Sequence, residues 1–217
     1  MFEVEKIIEP DITLVCKLDK EGKIKFINKS YTDVTGFTEK DLVGESHEII
    51  QHPKMPQVIL NRAWKYINNG EHYFLASKNI TKNGEYFWTI ADITSKIHEN
   101  KSTAIYIRRK YLPSNVKQEL SKLYDILFGI ENSGNGIEIA EKYLKGWLED
   151  RKFDDLESYI ISQFNGEKKL KEYLTTEVSD KELFSTDPND MDIDDILKFV
   201  KKKKKEILVL KNKQYDN

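Results

Sequence analysis

The hydrophobic period changes once along this chain, at Leu112-Pro113, and that change limits the fold more than any single motif. From His72 to Leu112, "HYFLASKNITKNGEYFWTIADITSKIHENKSTAIYIRRKYL" alternates β-branched or aromatic residues with polar ones. Two turn clusters, Lys82-Asn83-Gly84-Glu85 and Glu99-Asn100-Lys101, divide it, so the segment predicts three consecutive antiparallel strands. Past Pro113 the apolar positions recur near 3.6: Val116, Leu120, Leu123, Tyr124, Leu127; then Ala140, Tyr143, Leu144, Trp147; then Phe153, Leu156, Ile160, Phe164. These stripes predict three helices. The breaks "ENSGNG" and "EDRKF" are short enough for the helices to pack as hairpins.

Upstream, "ITLVCKLDKEGKIKFIN" (Ile12 to Asn28) sets two β-rich runs around Asp19-Lys20-Glu21-Gly22, a hairpin pattern. "KSYTDVTG" and "TEKDLVG" read as short helices closing on glycine, with Thr38 as N-cap of the second. "PQVILNRAWKYINN" (Pro56 to Asn69) is a longer helix, with Pro in its first turn and Gly70 after its end. The expected architecture is α+β: a five-stranded antiparallel sheet with short helices over residues 1–113, followed by an all-α annex over 114–217. Within the annex, Met191 to Lys211 reads as a final helix, or as a helix followed by a strand at "EILVL".

Lys and Arg number 35 against 37 Asp and Glu, so no global basic field recommends a nucleic-acid partner. A single cysteine, Cys16, excludes an intrachain disulfide framework, and no Cys pairs or clustered histidines suggest a metal site. No stretch of about 18 apolar residues predicts a membrane span, and the N-terminus lacks a signal-peptide pattern. These features predict a cytoplasmic chain. G-x-S-x-G, P-loop and HExxH patterns are absent, so no catalytic residue is assigned and turnover chemistry is not expected. Lys201 to Lys205 reads as a solvated face offset by Asp192, Asp194, Asp195 and Glu206.

Several side chains have both an ordinary reading and a functional one. His52, in "IIQHPKMP", suits the start of the Pro56 helix. Trp64 suits the apolar face of that helix, and Tyr73 and Trp88 suit cross-strand packing. Asn28 and Asn79 suit turn and strand-end capping. Asn79 also lies in a strand reading, "SKNIT", where Asn is disfavoured unless something uses its side chain.

Asn28, Thr35-Gly36-Phe37, Gly44 with His47, His52-Pro53-Lys54-Met55-Pro56, Trp64, Lys78-Asn79, Lys82-Asn83-Gly84 and Phe87-Trp88 follow one another in order. In that order they resemble the PAS domains of the Aer type, the flavin-binding redox sensors of bacterial aerotaxis and energy taxis. The resemblance covers roughly Ile12 to Pro113. It implies a PAS fold, a non-covalently held FAD, and a pocket drawn from Asn28, His47, Gln51, His52, Trp64, Tyr73, Asn79 and Trp88. It further implies a sensor reporting redox state or oxygen-linked electron flow to a separate chemoreceptor-like or other signalling protein.

Three positions depart from the family's pattern: Gln51 replaces an Arg, Lys54 replaces an Asp, and Tyr73-Phe74-Leu75 replaces a Trp followed by small residues. They keep two alternatives open. One is a cofactor-free interaction module in which Phe74 and Leu75 fill the pocket and the sheet or helices form a homodimer. The other is a haem sensor with His52 or His47 as axial ligand. The Asn-Cys-Arg helix of light-oxygen-voltage domains is absent, so a flavin–cysteine adduct is not expected.

Overall fold

The computed structural model describes residues 4–97 and 103–175. The turn at Glu99-Asn100-Lys101, the Lys201 to Lys205 run and the helix-or-strand reading of 191–211 lie outside the described residues.

β1 (Leu14–Asp19) and β2 (Ile24–Ile27) form the expected hairpin. Asp19 Oδ1 accepts from the backbone N–H groups of Glu21 (3.1 Å) and Lys23 (2.9 Å), and Gly22 takes a φ of 78°. A side chain at Gly22 would be strained twice: by that left-handed backbone, and by Trp64, whose ring lies 3.1 Å from where a Cβ would stand. α1 (Lys29–Thr35) starts at Asn28 and stops at Gly36, and α2 (Glu39–Leu42) starts with a reciprocal capping box between Thr38 and Asp41. After a single 3-10 turn at His47–Ile50, α3 (Gln57–Asn68) follows Pro56 and buries Val58, Ile59, Ala63 and Ile67.

β3 (Tyr73–Ile80), β4 (Tyr86–Ile97) and β5 (Thr103–Tyr111) complete a five-stranded sheet in the order β2-β1-β5-β4-β3, with every neighbouring pair antiparallel. The register aligns Leu75, Ala91, Arg109 and Leu14 straight across four strands, and Phe74, Asp92, Arg108 and Val15 in the next row. Successive rows point to opposite faces. The first belongs to the inner face, toward α3; the second belongs to the outer face.

Four annex helices follow: the first, third and fourth pack on the outer face, and the second packs on the first and on α3. They are α4 (Ser114–Ile130), α5 (Gly136–Glu149), α6 (Leu156–Gln163) and α7 (Glu167–Leu174), with a wide turn at Glu131–Asn135 between α4 and α5. Three were expected. α7 escaped the periodicity argument because it buries only Leu170 and Leu174, the rest of "EKKLKEYL" being mostly charged and paired along its own surface, as in Lys171–Glu167.

Trp88 and Tyr124 pack with ring centroids 5.5 Å apart, and the Tyr124 hydroxyl donates to the Ala76 carbonyl at 2.8 Å. Tyr173 donates to the Tyr111 carbonyl at 2.8 Å. The buried apolar residues form one continuous cluster from Ile8 to Leu174. The change of pattern at Pro113 therefore separates two kinds of element that share a core.

An open strand edge invites unwanted pairing, and β3 lies at one edge of the sheet. Four of its outward backbone groups are occupied: Phe74 N–H by Glu157 Oε1 (2.7 Å), Ala76 C=O by Tyr124, Lys78 N–H by the Met55 sulfur (3.3 Å), and Lys78 C=O by His52 N–H (3.2 Å).

Candidate functional site

Between the inner face of the sheet and α3 lies a cavity of about 100 Å³. Its apolar side is made by Leu18, Leu60, Ile67, Leu75, Ile93 and Ile105. Its polar side is made by His47, Gln51, Ser77, Asn79 and Arg109. Trp64, half-buried on α3, also lines it, next to Gly22.

Arg109 is the unusual member. It is 2% exposed, and a buried guanidinium without a counter-ion is costly. Nη1 donates to Ser77 Oγ at 3.1 Å and Nη2 to His47 Nε2 at 3.0 Å, while Nε is buried without a partner. Among the described residues, no carboxylate forms an ion pair with it. Glu21 and Glu48, which line the mouth of the cavity, are exposed.

Because Arg109 can only donate, His47 Nε2 must accept, which fixes a neutral ring carrying its proton on Nδ1. Burial, helped by the Arg109 charge, holds the His47 pKa well below the ordinary histidine value. The Tyr31 hydroxyl also meets His47 Nε2, at 3.2 Å. Burial pushes the Tyr31 phenol well up and the Cys16 thiol to about 11, Arg109 opposing the rise in both.

Beside Arg109, Asn79 Nδ2 donates to Thr89 Oγ1 (3.0 Å), to the Ser77 carbonyl (3.2 Å) and to Ser77 Oγ (3.3 Å). The amide that strand propensity disfavours is thus held by its own sheet. Gln51 pairs its backbone with Asn79 in a short antiparallel bridge, which brings the segment after the 3-10 turn against β3.

Of the residues singled out from sequence, His47, Gln51, Trp64 and Asn79 line the cavity, as does Leu75. Asn28, His52, Tyr73 and Trp88 do not. Asn28 spends its amide on the backbone: Oδ1 accepts from Val15 and Tyr31 N–H, and Nδ2 donates to the Thr13 carbonyl. His52 is buried at the start of α3, with Nδ1 accepting from Lys54 N–H at 3.0 Å. Tyr73 stacks on Tyr66 with centroids 4.9 Å apart, and Trp88 faces α4 from the outer side. Phe74 lies in the outer row with its ring against His72, so it does not fill the cavity. Lys54 is exposed.

Arg109, Ser77 and Thr89 were missed. The signal for Arg109 was present: in "AIYIRRKY" it keeps step with the buried Ile105 and Ile107, so strand alternation puts the cation inside.

The cavity wall is tied to the annex by a carboxylate. Pro56 offers α3 no side-chain cap. Glu131, at the α4–α5 turn, supplies one, with Oε2 accepting from Gln57 N–H and Oε1 from Val58 N–H, both at 2.8 Å. An anion at a helix N-terminus satisfies orphan donors and complements the helix dipole.

Comparison with known proteins agrees with this geometry. A family model described as the PAS fold matches residues 24–107. The aerotaxis receptor of Escherichia coli (strain K12) is 28% identical over 141 residues, covering 64% of this chain and 27% of the receptor. That match is longer than everything preceding α4, so it continues into the annex. The bacterioopsin transcriptional activator of Halobacterium salinarum is 28% identical over 96 residues, covering 44% of this chain and 14% of that protein. The chain thus spans about a quarter or less of the length of these two relatives.

Among solved structures, a light-oxygen-voltage domain from work with a flavin analogue has a TM-score of 0.45 at 16% identity, covering 51% of this chain and 85% of that one. The blue-light activated histidine kinase of Erythrobacter litoralis EL346 has a TM-score of 0.43 at 17% identity, covering 51% and 38%. Strand order, motif order and family match converge on a PAS fold over residues 24–107, in a chain similar to the aerotaxis receptor.

Proposed function

We propose that this chain is a cytoplasmic sensor, not an enzyme, which holds FAD non-covalently in the cavity beneath α3 and reports redox state to a separate signalling protein. The observation that carries this reading is the division of the cavity into an apolar side and a side of fixed donors and acceptors. A flavin ring system has the same two ends, one hydrocarbon and one rich in carbonyl and N–H groups. The residues present therefore fit the group in chemistry. When bound, the flavin supplies reversible electron uptake, with a change of charge and hydrogen bonding at its polar edge.

The chain's own part follows from which wall can move. About 100 Å³ is less than the engineered cavity of roughly 150 Å³ that admits benzene, so a three-ring system seats only if a wall shifts outward. The sheet is backed by α4, α6 and α7, whereas α3, which packs against α5, and the His47–Pro56 segment form the outer wall. Displacing α3 acts on Gln57 and Val58, and through them on Glu131 and the α4–α5 turn. Asn79 and Gln51, whose amides both donate and accept, can answer a change in the group they face. Two packings with a different fit to the two ligand states are what a sensor requires.

The sensor reading, rather than turnover, is supported by the titratable groups. Tyr31 and Cys16 are pushed up and His47 is held down, which takes them away from the near-neutral pKa that acid–base catalysis favours. Haem ligation by His47 is disfavoured because its Nε2 lone pair faces the Arg109 cation. No helix among the described residues is long and apolar enough to cross a membrane.

The test is the absorption spectrum of the purified protein, before and after incubation with FAD, followed by release of any chromophore. A bound flavin spectrum is expected. A colourless protein that takes up no FAD on reconstitution contradicts the reading.

A further inference from the structure

We propose that Arg109 is the specificity-determining cation of this cavity. It receives an oxygen bearing full or partial negative charge, so that a planar ring carrying a carboxylate or enolate is selected over its neutral isostere. The proposal rests on the cavity being the binding site, but not on the occupant being a flavin.

Three observations carry it. The guanidinium is 2% exposed and lines the cavity. Among the described residues it forms no ion pair, although burial of an unpaired charge is among the more costly arrangements a core can contain. Its two terminal nitrogens are fixed by Ser77 Oγ and His47 Nε2, at 3.1 and 3.0 Å, leaving the buried Nε as an unpartnered donor. Both fixing partners are neutral, so they orient the fork without cancelling its charge. An oriented guanidinium favours carboxylate-like oxygen acceptors, which take charge-assisted hydrogen bonds from it.

The rest of the lining limits the shape. Leu18, Leu75, Ile93 and Ile105 on the same sheet face, with Trp64 of α3 across from them, make an apolar slot, which, with α3 shifted outward, suits a flat ring whose charged edge points at Arg109. Acidic competition is confined to the exposed Glu21 and Glu48 at the mouth. These two discourage an anion that stops at the entrance and leave the inner cation as the attractive site.

The experiment uses the full chain with benzoate and benzamide, which differ in charge but hardly in shape. Trp64 is the only one of the three tryptophans that lines the cavity, so intrinsic fluorescence reports occupancy, and Trp64→Phe identifies the responding residue. Benzoate is expected to bind at least about tenfold more tightly than benzamide. Arg109→Gln should bring the two within about twofold, and Arg109→Lys should recover part of the preference. Equal affinities in the wild-type protein, or no saturable Trp64 response to benzoate, overturn the proposal, and neither outcome depends on a variant that folds. FAD uptake is measured on the same samples. If the wild type refuses FAD but prefers benzoate, the flavin reading fails and the Arg109 subsite stands. If the wild type takes up FAD and a folded Arg109→Gln protein holds it equally well, the subsite fails and the flavin reading stands.

Discussion

The two faces of one sheet are built to different standards. On the outer face, Trp88 and Ile90 are buried beneath annex helices, and Tyr124 bonds to the Ala76 carbonyl across the interface, although Arg108 Nε is left without a partner. On the inner face, one residue out of phase along the same strands, Ser77, Asn79, Thr89 and Arg109 are buried among aliphatic side chains around a cavity. A chain selected only for stability would fill that cavity and replace the guanidinium by a hydrocarbon. The outer face thus supplies stability that the inner face gives up around its cavity.

Substitutions should separate the faces by size and sign. Trp88→Ala removes an outer-face anchor and should cost about 3–5 kcal/mol, read as a lower midpoint in urea denaturation. A cost below about 1 kcal/mol would mean that the annex contributes little to the sheet. Glu131→Ala links the two regions and should cost less, about 1–2 kcal/mol. Its particular signature is faster amide exchange at Gln57 and Val58, the two N–H groups it caps. Unchanged exchange there would dissolve the proposed link between cavity wall and annex.

The pH dependence of stability tests the inner face. Because burial depresses the His47 pKa, the folded protein refuses a proton that the unfolded chain accepts below its ordinary value of about 6.5. Stability should be fully present above that value and fall below it, with a slope of at most about 1.4 kcal/mol per pH unit. Asp41, held near 2 mainly by its hydrogen bond with Lys82, is shifted in the same direction but acts at lower pH. Its contribution is lost only as pH falls through the lower carboxylate range. Between about pH 6.5 and 5 the His47 contribution is opposed by that of Glu157, whose pKa burial raises, so the change in slope on His47→Gln is what reports His47. An unaltered slope in that variant would refute the neutral imidazole.

The smallest expected change in stability is at Arg109 itself. Arg109→Met should leave stability within about 1 kcal/mol of wild type or raise it, because Ser77 and His47 keep other partners in Thr89 and Tyr31. A loss of several kcal/mol would assign Arg109 to the scaffold and blur the contrast between the faces.

The architecture was legible because period and turn chemistry agree locally. The glycine after the β1 turn, the Thr38 capping box and the Pro56 helix are each signalled within a few residues. The site was half legible. Asn79 stood out because a polar amide in a strand demands a reason, and Arg109 was available to the same alternation argument. Asn28 and His52 stand outside the cavity lining, and sequence does not separate the two roles, because a side chain that caps a backbone and one that meets a ligand need the same donors and acceptors. Nothing local marks Glu131 as the cap of a helix that starts 74 residues earlier, or Glu157 as the acceptor for Phe74 N–H. Such contacts exist only once the annex has folded over the sheet.

On the proposed function, occupancy of the inner cavity is felt at the annex through α3. Amide hydrogen exchange of the full chain, with and without FAD, tests it most directly. The prediction is added protection around Asn79 and Arg109, together with a change at Gln57, Val58 and the α4–α5 turn. Exchange that is unchanged at the cavity, or altered there while Gln57, Val58 and the turn stay as they were, would contradict it.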